Sequence, residues 1–505
     1  MAMFFRKSRI LITRKTLNVL GCSLAALVGL FGIAIALMTL RRGVWLDEFF
    51  PIAWTTPGTS PREFLHLIIT HDFHPILHYG MVYLLQAIGV TDIALLRSIN
   101  LLGLPLVIFA VAYGMRHKLI NLSQALIVWV LFASSPIFFE YVAELRCYFL
   151  LYSASIATAI LWYVLMRHIE ARQNTSATAI SIWGAYLAIF VNLHYFATLL
   201  GGMLTAVLLT RLAIRSLWSQ VLIIAGVSLA AAAPALVLGA LQVFSFGAPP
   251  RIDTSPIESI KMSVWMVKTA AAWNVAAVAG AVVTCLFVLE DRRKRVELRT
   301  AVILLGVVAS FLGALVLANA ITPLIVNRYL IAGAGAVTFA VAILAASSGT
   351  PVWLPAAASA VALLLQAQTI RHLGMDERGW LPSARAVAQL NSECPTTKIF
   401  AYPRHDFRNG LKDIDIRLKF NQVSYGYYAK MFQFSYEDLW NGATVVASGP
   451  CPSVIWIEHV FHTFAANPNA NTEQVLNEFQ ISKIGVGELK RYGSGVLIIV
   501  RDRSD

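Results

Sequence analysis

Between Leu17 and about Ile370 the chain is written in long apolar runs separated by short polar or basic breaks. A run of about 20 residues, wound as an α-helix rising about 1.5 Å per residue, covers a hydrocarbon core of about 30 Å. On this pattern we expect eleven spans, near 17–40, 93–115, 121–139, 147–166, 178–194, 197–213, 217–238, 263–289, 299–319, 329–347 and 351–370. One apolar piece, 75–89, is too short to span and reads as a helix lying at the outer interface. From Arg371 the apolar runs shorten and mix with polar residues. There, 383–391 and 472–479 look helical, while "KIFAY", "SVIWIEHV" and "GVLIIV" look like buried strands bounded by turn residues. The expected fold class is thus a polytopic α-helical membrane module over 1–370, with a large first outer loop at 41–92. An extracytoplasmic α/β domain at 371–505 follows it.

Composition agrees. The 505 residues are 58% hydrophobic and only 13% charged, with mean hydropathy +0.67, against roughly 25% charged residues in soluble domains. The net charge of +13 sits mostly in short clusters beside apolar runs, a topology signal and not a nucleic-acid surface. The N-terminal cluster (Arg6, Lys7, Arg9, Arg14, Lys15) keeps that end cytoplasmic. Arg116-His117-Lys118, Arg167 to Arg172, Arg211 to Arg215 and "DRRKR" at 291–295 fall on the same side. If 75–89 crossed the membrane, these clusters would land outside. The first apolar run, about 24 residues, exceeds a signal-peptide core and is expected to remain as an anchor. Cys22, Cys147 and Cys285 lie on expected spans, where packing is their role. An oxidising compartment would let Cys394 and Cys451 pair.

With this topology, the outer side collects most of the unusual polar residues. It receives Asp47 and Glu48 in "VWLDEFF", then "HDFHP" (71–75), "FEYVAELRCY" (139–148), "NLHYF" (192–196), the polar loop 241–262 and "ITPLIVNRYL" (321–330). Charged groups at membrane depth cost roughly 2.5–3.5 kcal/mol each at a helix centre. Their accumulation on one side implies a wet cavity.

"WLDEFF" after a first membrane helix, followed by "HDFHPILHY", resembles the GT-C membrane glycosyltransferases. The branch it is most similar to holds the protein O-mannosyltransferases and the lipid A aminoarabinose transferases. Those proteins carry an Asp-Glu pair in the first outer loop and a downstream His-Pro-Pro-Leu; here the stretch is His74-Pro75-Ile76-Leu77, without the second proline. Glu144, Arg146 and Tyr148 are similar to a Glu-x-Arg-x-Tyr stretch of the family, and Arg328-Tyr329 to an Arg-Tyr near its last outer loop. The resemblance implies an inverting transfer of a sugar from a polyprenyl-phosphate carrier to an acceptor hydroxyl on a glycan, lipid or protein. Asp47 is then the general base, and Glu48 orients the acceptor or holds the loop. Asp72, His74, Glu144, Arg146, Tyr148, Arg328 and Tyr329 are the substrate-binding candidates. With a bacterial cell assumed, the protein sits in the inner (cytoplasmic) membrane.

The residue chemistry is compatible with that implication. Transfer to a hydroxyl needs a base and stabilisation of a departing anion, and guanidinium forks suit phosphate. Pro75 suits a helix's first turn, which would put His74 where backbone N–H groups also attract phosphate. Each residue also has a plainer role. Asp47-Glu48 could cap the first outer helix, and Asp72 the short helix after it. Glu144 and Arg146 could form a structural ion pair, Arg328 and Lys268 could snorkel, and His194-Tyr195 could be packing. His71, His74 and His78 could be satisfied interfacial histidines. Glu48, His71 and His74 could instead hold a divalent cation, the only cofactor suggested. A transporter or flippase for an anionic lipid would also want arginines in a wet cavity, but the inverted repeats and broken helix pairs typical of transporters are not visible. A membrane-anchored assembly protein would explain the outer domain but not the cavity.

Overall fold

The structure, a computed structural model, describes residues 14–172, 175–246, 255–287, 292–322, 326–368, 370–371, 379–402, 414–439, 443–446, 450–458, 471–478, 481–484, 486–492 and 495–502. Arg6, Lys7 and Arg9 of the N-terminal cluster lie outside these, as do 247–254 of the polar loop. Among the described residues seven helices are long and apolar enough to cross a membrane. They are Val19–Thr39, Ile93–Arg116, Tyr148–Glu170, Tyr195–Ile214, Trp218–Ser245, Lys294–Ile321 and Asn327–Ser347.

The other four of the eleven expected spans come out short or bent. The 121–139 run breaks because Pro136 disfavours helix in the residue before it. One helix ends at Ala133, and Pro136–Tyr141 restarts with Ser135 capping Ile137 N–H at 3.2 Å. The 263–289 run becomes Ile257–Ala271 and Val275–Phe287, bent by 100°, with Asn274 Oδ1 accepting the Ala277 N–H at 3.0 Å. Ala177–Val191 has 15 residues and Trp353–Leu365 has 13, too few to match about 30 Å of hydrocarbon.

The helix Tyr148–Glu170 is the centre of the bundle, buried on all sides. Its closest neighbour is Ile331–Ser347, whose sequence "IAGAGAVTFAVAILAAS" is rich in small residues. Small residues let backbones approach. A Cβ on Gly335 would lie 2.5 Å from Ile156 N and 2.7 Å from Tyr152 O, so only glycine fits. Ser155 Oγ donates to Ala332 O at 2.6 Å across the same contact. This crossing places the segments preceding each helix, which carry Arg146 and Arg328, at the same mouth.

The 41–92 loop folds into three helices, Leu46–Trp54, Pro61–His71 and Ile76–Ala87, the last being the expected short helix. Beyond the membrane module lies a five-stranded sheet in the order β2-β1-β4-β7-β6. It comprises β1 (Lys398–Tyr402), β2 (Glu437–Asp438), β4 (Ser453–Ile457), β6 (Val486–Tyr492) and β7 (Gly495–Arg501). β1 pairs parallel with β2 and β4; β7 runs antiparallel to β4 and β6. β3 (Thr444–Val446) and β5 (Ser482–Ile484) form a separate parallel pair. The three expected strands and both expected helices are present. The long helix Ile414–Phe432 and strands β2, β3, β5 and β6 are additional. Cys394 and Cys451 form a disulfide, Cα–Cα 5.6 Å, tying the end of the Leu381–Glu393 helix to the approach to β4.

This domain is docked on the loop. Phe49 of the Leu46–Trp54 helix lies 5.0 Å from the Trp380 ring and 6.3 Å from those of Phe420, Tyr427 and Tyr428. Burying such a ring contributes about 1.5–3 kcal/mol. Tyr428 Oη donates to Val44 O at 2.9 Å and accepts the Val44 N–H at 2.8 Å.

Candidate active site

Asp47 and Glu48 are adjacent, and the helix separates them. Successive residues on a helix point in directions about 100° apart, so one carboxylate faces a cavity and the other faces the protein. Glu48 is the buried one. Its oxygens accept Arg97 Nε at 2.8 Å, Arg97 Nη2 at 2.7 Å, Leu145 N–H at 2.6 Å and, in half a capping box, Trp45 N–H at 3.3 Å. These contacts tie Glu48 to Arg97 and to the backbone at Trp45 and Leu145. Sequence reasoning missed Arg97, although a lone arginine inside an apolar run is itself a signal.

Pro51 shapes what Asp47 does. A proline within a helix cannot donate to the carbonyl four residues back, which here belongs to Asp47. Arg146 Nη1 donates to that carbonyl instead, at 3.2 Å. The Asp47 carboxylate meets Arg328 Nη1 at 2.6 Å.

Arg146 closes a ring of four side chains. Its Nη1 donates to Tyr79 Oη at 2.9 Å, and Tyr79 Oη donates to Asp72 Oδ2 at 2.5 Å. Its Nη2 contacts His74 Nε2 at 2.9 Å, and His74 Nδ1 lies 2.6 Å from Asp72 Oδ1. Because arginine has no acceptor, His74 Nε2 must accept, so His74 is neutral with its proton on Nδ1. Every bond therefore runs from the arginine towards Asp72. Burial pushes the Asp72 carboxyl up, but His74, Arg146 and Tyr79 outweigh it and bring it down to about 2. Burial and Arg146 push His74 down against the pull of Asp72. Tyr79 was quoted in the motif but given no role by sequence reasoning.

Tyr148 is buried behind the arginines. The Arg146 and Arg328 guanidinium carbons stand 6.0 and 5.7 Å from its ring centre, and Arg328 also lies 5.5 Å from the Trp45 ring, distances at which cation–π attraction acts. Glu144 is buried too, 3.9 Å from Arg42, with Oε1 lacking a hydrogen-bond partner among the described residues.

The cavity has a volume of about 800 Å³. Asp47, Asp72, His74, Arg146, His194, Arg328 and Tyr329 supply its polar end; Ala235, Leu236, Val243, Phe244 and Phe196 supply an apolar wall. Thus six of the nine predicted residues line one cavity. Glu48, Glu144 and Tyr148 stand behind it. His71 lines it as well, but the trio Glu48, His71 and His74 does not converge, since Arg97 and backbone groups occupy Glu48. Among the described residues no three His, Cys, Asp or Glu side chains form a metal-holding group. Lys268 sits in a π-helical turn, Lys268–Ala272. Gln242, unremarked in the sequence, binds the motif loop: its Nε2 donates to Ile68 O at 3.0 Å and His74 O at 3.2 Å, while Tyr195 Oη donates to its Oε1 at 2.6 Å.

No family model matches the sequence, and no curated protein matches it. Solved structures resemble it, among them two crystal structures of ArnT from Cupriavidus metallidurans. The apo form is 12% identical with a TM-score of 0.49, covering 95% of this chain and 98% of that one. The form bound to undecaprenyl phosphate is 13% identical with a TM-score of 0.34, covering 96% and 98%.

Proposed function

We propose that this protein is a GT-C-type inverting glycosyltransferase that moves a sugar from a polyprenyl-phosphate carrier to an acceptor hydroxyl. One observation carries this reading: a carboxylate, Asp47, opposes two arginines in a cavity that has an apolar wall. In the reaction the acceptor oxygen attacks the anomeric carbon while its proton passes to Asp47. The carbon–oxygen bond to the phosphate breaks, and the phosphate leaves with the electron pair. Arg146 and Arg328 stabilise that charge. Asp72, His74 and Tyr79 hold Arg146 in place, and the apolar wall takes the start of the prenyl chain. Base and leaving group lie on opposite faces of the sugar, which gives a single displacement with inversion.

The disulfide supports an oxidising compartment for the 371–505 domain. We therefore place that domain outside the cytoplasmic membrane and the N-terminus inside. The domain's contact with Phe49 makes it a cover or acceptor guide for the site.

The test is transfer from a panel of radiolabelled polyprenyl-phosphate sugars in lipid-reconstituted protein, with membrane extract as acceptor source. Asp47→Asn should lose about 10²–10⁴-fold in rate while remaining folded. Undiminished transfer would remove Asp47 as base. Labelled lipid crossing the bilayer without transfer would favour the flippase instead. Loss of transfer in chelator, restored by a divalent cation, would put a metal in the site.

A further inference from the structure

His194 precedes the Tyr195–Ile214 helix as its N-cap, and its Nδ1 accepts the Phe196 N–H at 3.3 Å. An imidazole that accepts at one nitrogen and is neutral carries its proton on the other, so Nε2 is a donor. Nε2 has no hydrogen-bond partner among the described residues. The residue is only 6% exposed and lines the cavity. Its ring centre lies 5.7 Å from that of His74, which holds Arg146, and 4.9 Å from that of Tyr329, the neighbour of Arg328. It is 6.3 Å from the Tyr148 ring, the same ring that both guanidinium groups approach. Three donor groups thus surround one buried tyrosine. A packing histidine would have no need of a donor nitrogen left over in a wet cavity.

We propose that His194 is a substrate-binding residue whose Nε2–H is an uncharged third donor to the phosphate oxygens held by Arg146 and Arg328. This rests on the transferase reading above and adds a residue to it. A third cation between two arginines would be repelled by them. Burial, with His74, Arg146 and Arg328 nearby, pushes the imidazole well below its ordinary value, so it donates without adding charge. Asp47 and Asp72 are the acidic groups at this end of the cavity; Arg328 already engages Asp47, and His74 and Tyr79 already engage Asp72.

The experiment measures equilibrium binding of a tritiated polyprenyl phosphate to nanodisc-embedded protein. Wild type, His194→Phe and His194→Gln are compared, each with its thermal midpoint. A hydrogen bond to a charged acceptor corresponds to a loss of about tenfold or more. His194→Phe should therefore bind at least about tenfold more weakly, and His194→Gln, which restores an N–H, should recover most of that. Equal binding by wild type and His194→Phe overturns the inference and leaves the transferase reading standing. So does His194→Gln binding as poorly as His194→Phe at unchanged midpoints. Wild type that binds no polyprenyl phosphate overturns the transferase reading, and this inference with it. Should either variant fold poorly, ¹⁵N-histidine-labelled wild type decides: the His194 Nε2 resonance must shift when the lipid phosphate is added, and an unmoved resonance refutes the contact.

Discussion

Arg97→Met tests the idea that a buried ion pair sets the position of the Leu46–Trp54 helix. Arg97 and Glu48 are both fully buried. All five guanidinium N–H groups are used: two on the Glu48 carboxylate and three on the carbonyls of Leu40, Arg42 and Gly43. Methionine fills similar volume but leaves a buried carboxylate without its cation and three carbonyls without donors. Removing one partner of a buried pair costs about 3–5 kcal/mol. Replacing both leaves no lone charge, so Glu48→Gln combined with Arg97→Met should cost clearly less than the two single changes summed, a coupling double-mutant cycles read directly. Arg97→Lys should not rescue, because an ammonium has three donors and no fork. SDS-unfolding titrations in mixed micelles supply the free energies, and transfer assays the activity. An Arg97→Met protein within about 1 kcal/mol of wild type, or additive single and double changes, would refute the reasoning.

Glu144 predicts a pH effect. Burial, with repulsion from Glu48 and Asp47 and only partial relief from Arg42, pushes its carboxyl up to about 8 from 4.5. Below 4.5 both folded and unfolded chains hold the proton. Between 4.5 and 8 only the unfolded chain releases it, so this group subtracts stability as pH rises and levels off above 8. Glu144→Gln should remove that slope and raise the thermal midpoint at pH 8 more than at pH 5; equal midpoint changes would deny it. Gln242→Leu strips donors from Ile68 O and His74 O, at about 1–3 kcal/mol per orphaned group. It should raise KM for the donor more than it lowers kcat, and unchanged kinetics would show the loop is held elsewhere. Breaking the disulfide by Cys451→Ser should cost the 371–505 domain about 4 kcal/mol, from its sequence separation of 57 residues. Limited proteolysis should find that domain more open while the membrane helices stay protected.

What the sequence disclosed and what it hid divide along physical lines. Apolar run length reveals a membrane helix, but it does not reveal where Pro136 or Asn274 interrupts one. The residues that face the cavity were legible because carboxylates, histidines and arginines are costly near a bilayer and cluster for a reason. Which of Asp47 and Glu48 faces the cavity was not legible, because that depends on Arg97, 49 residues further along the chain. His194 read as packing because its unused nitrogen exists only in three dimensions. Gln242 carried no signal, since one amide in an apolar helix is common. In the outer domain, "SVIWI" announced itself as a strand. By contrast, the Ile414–Phe432 helix has no clean apolar face; its aromatic rings dock on Phe49, which no local pattern can show.

On the proposed chemistry, the contact between Asp47 and Arg328 at 2.6 Å would work as an interlock. The proposed base is paired with the very cation that the departing phosphate would need. On the proposed chemistry, a donor entering the cavity draws Arg328 away and in doing so unmasks the carboxylate. An acceptor arriving before the donor would find that carboxylate already paired. The order of events, donor before acceptor, would then be written into one ion pair. An ordered initial-rate pattern is its kinetic signature, and a random-order pattern would show that the lock does not hold.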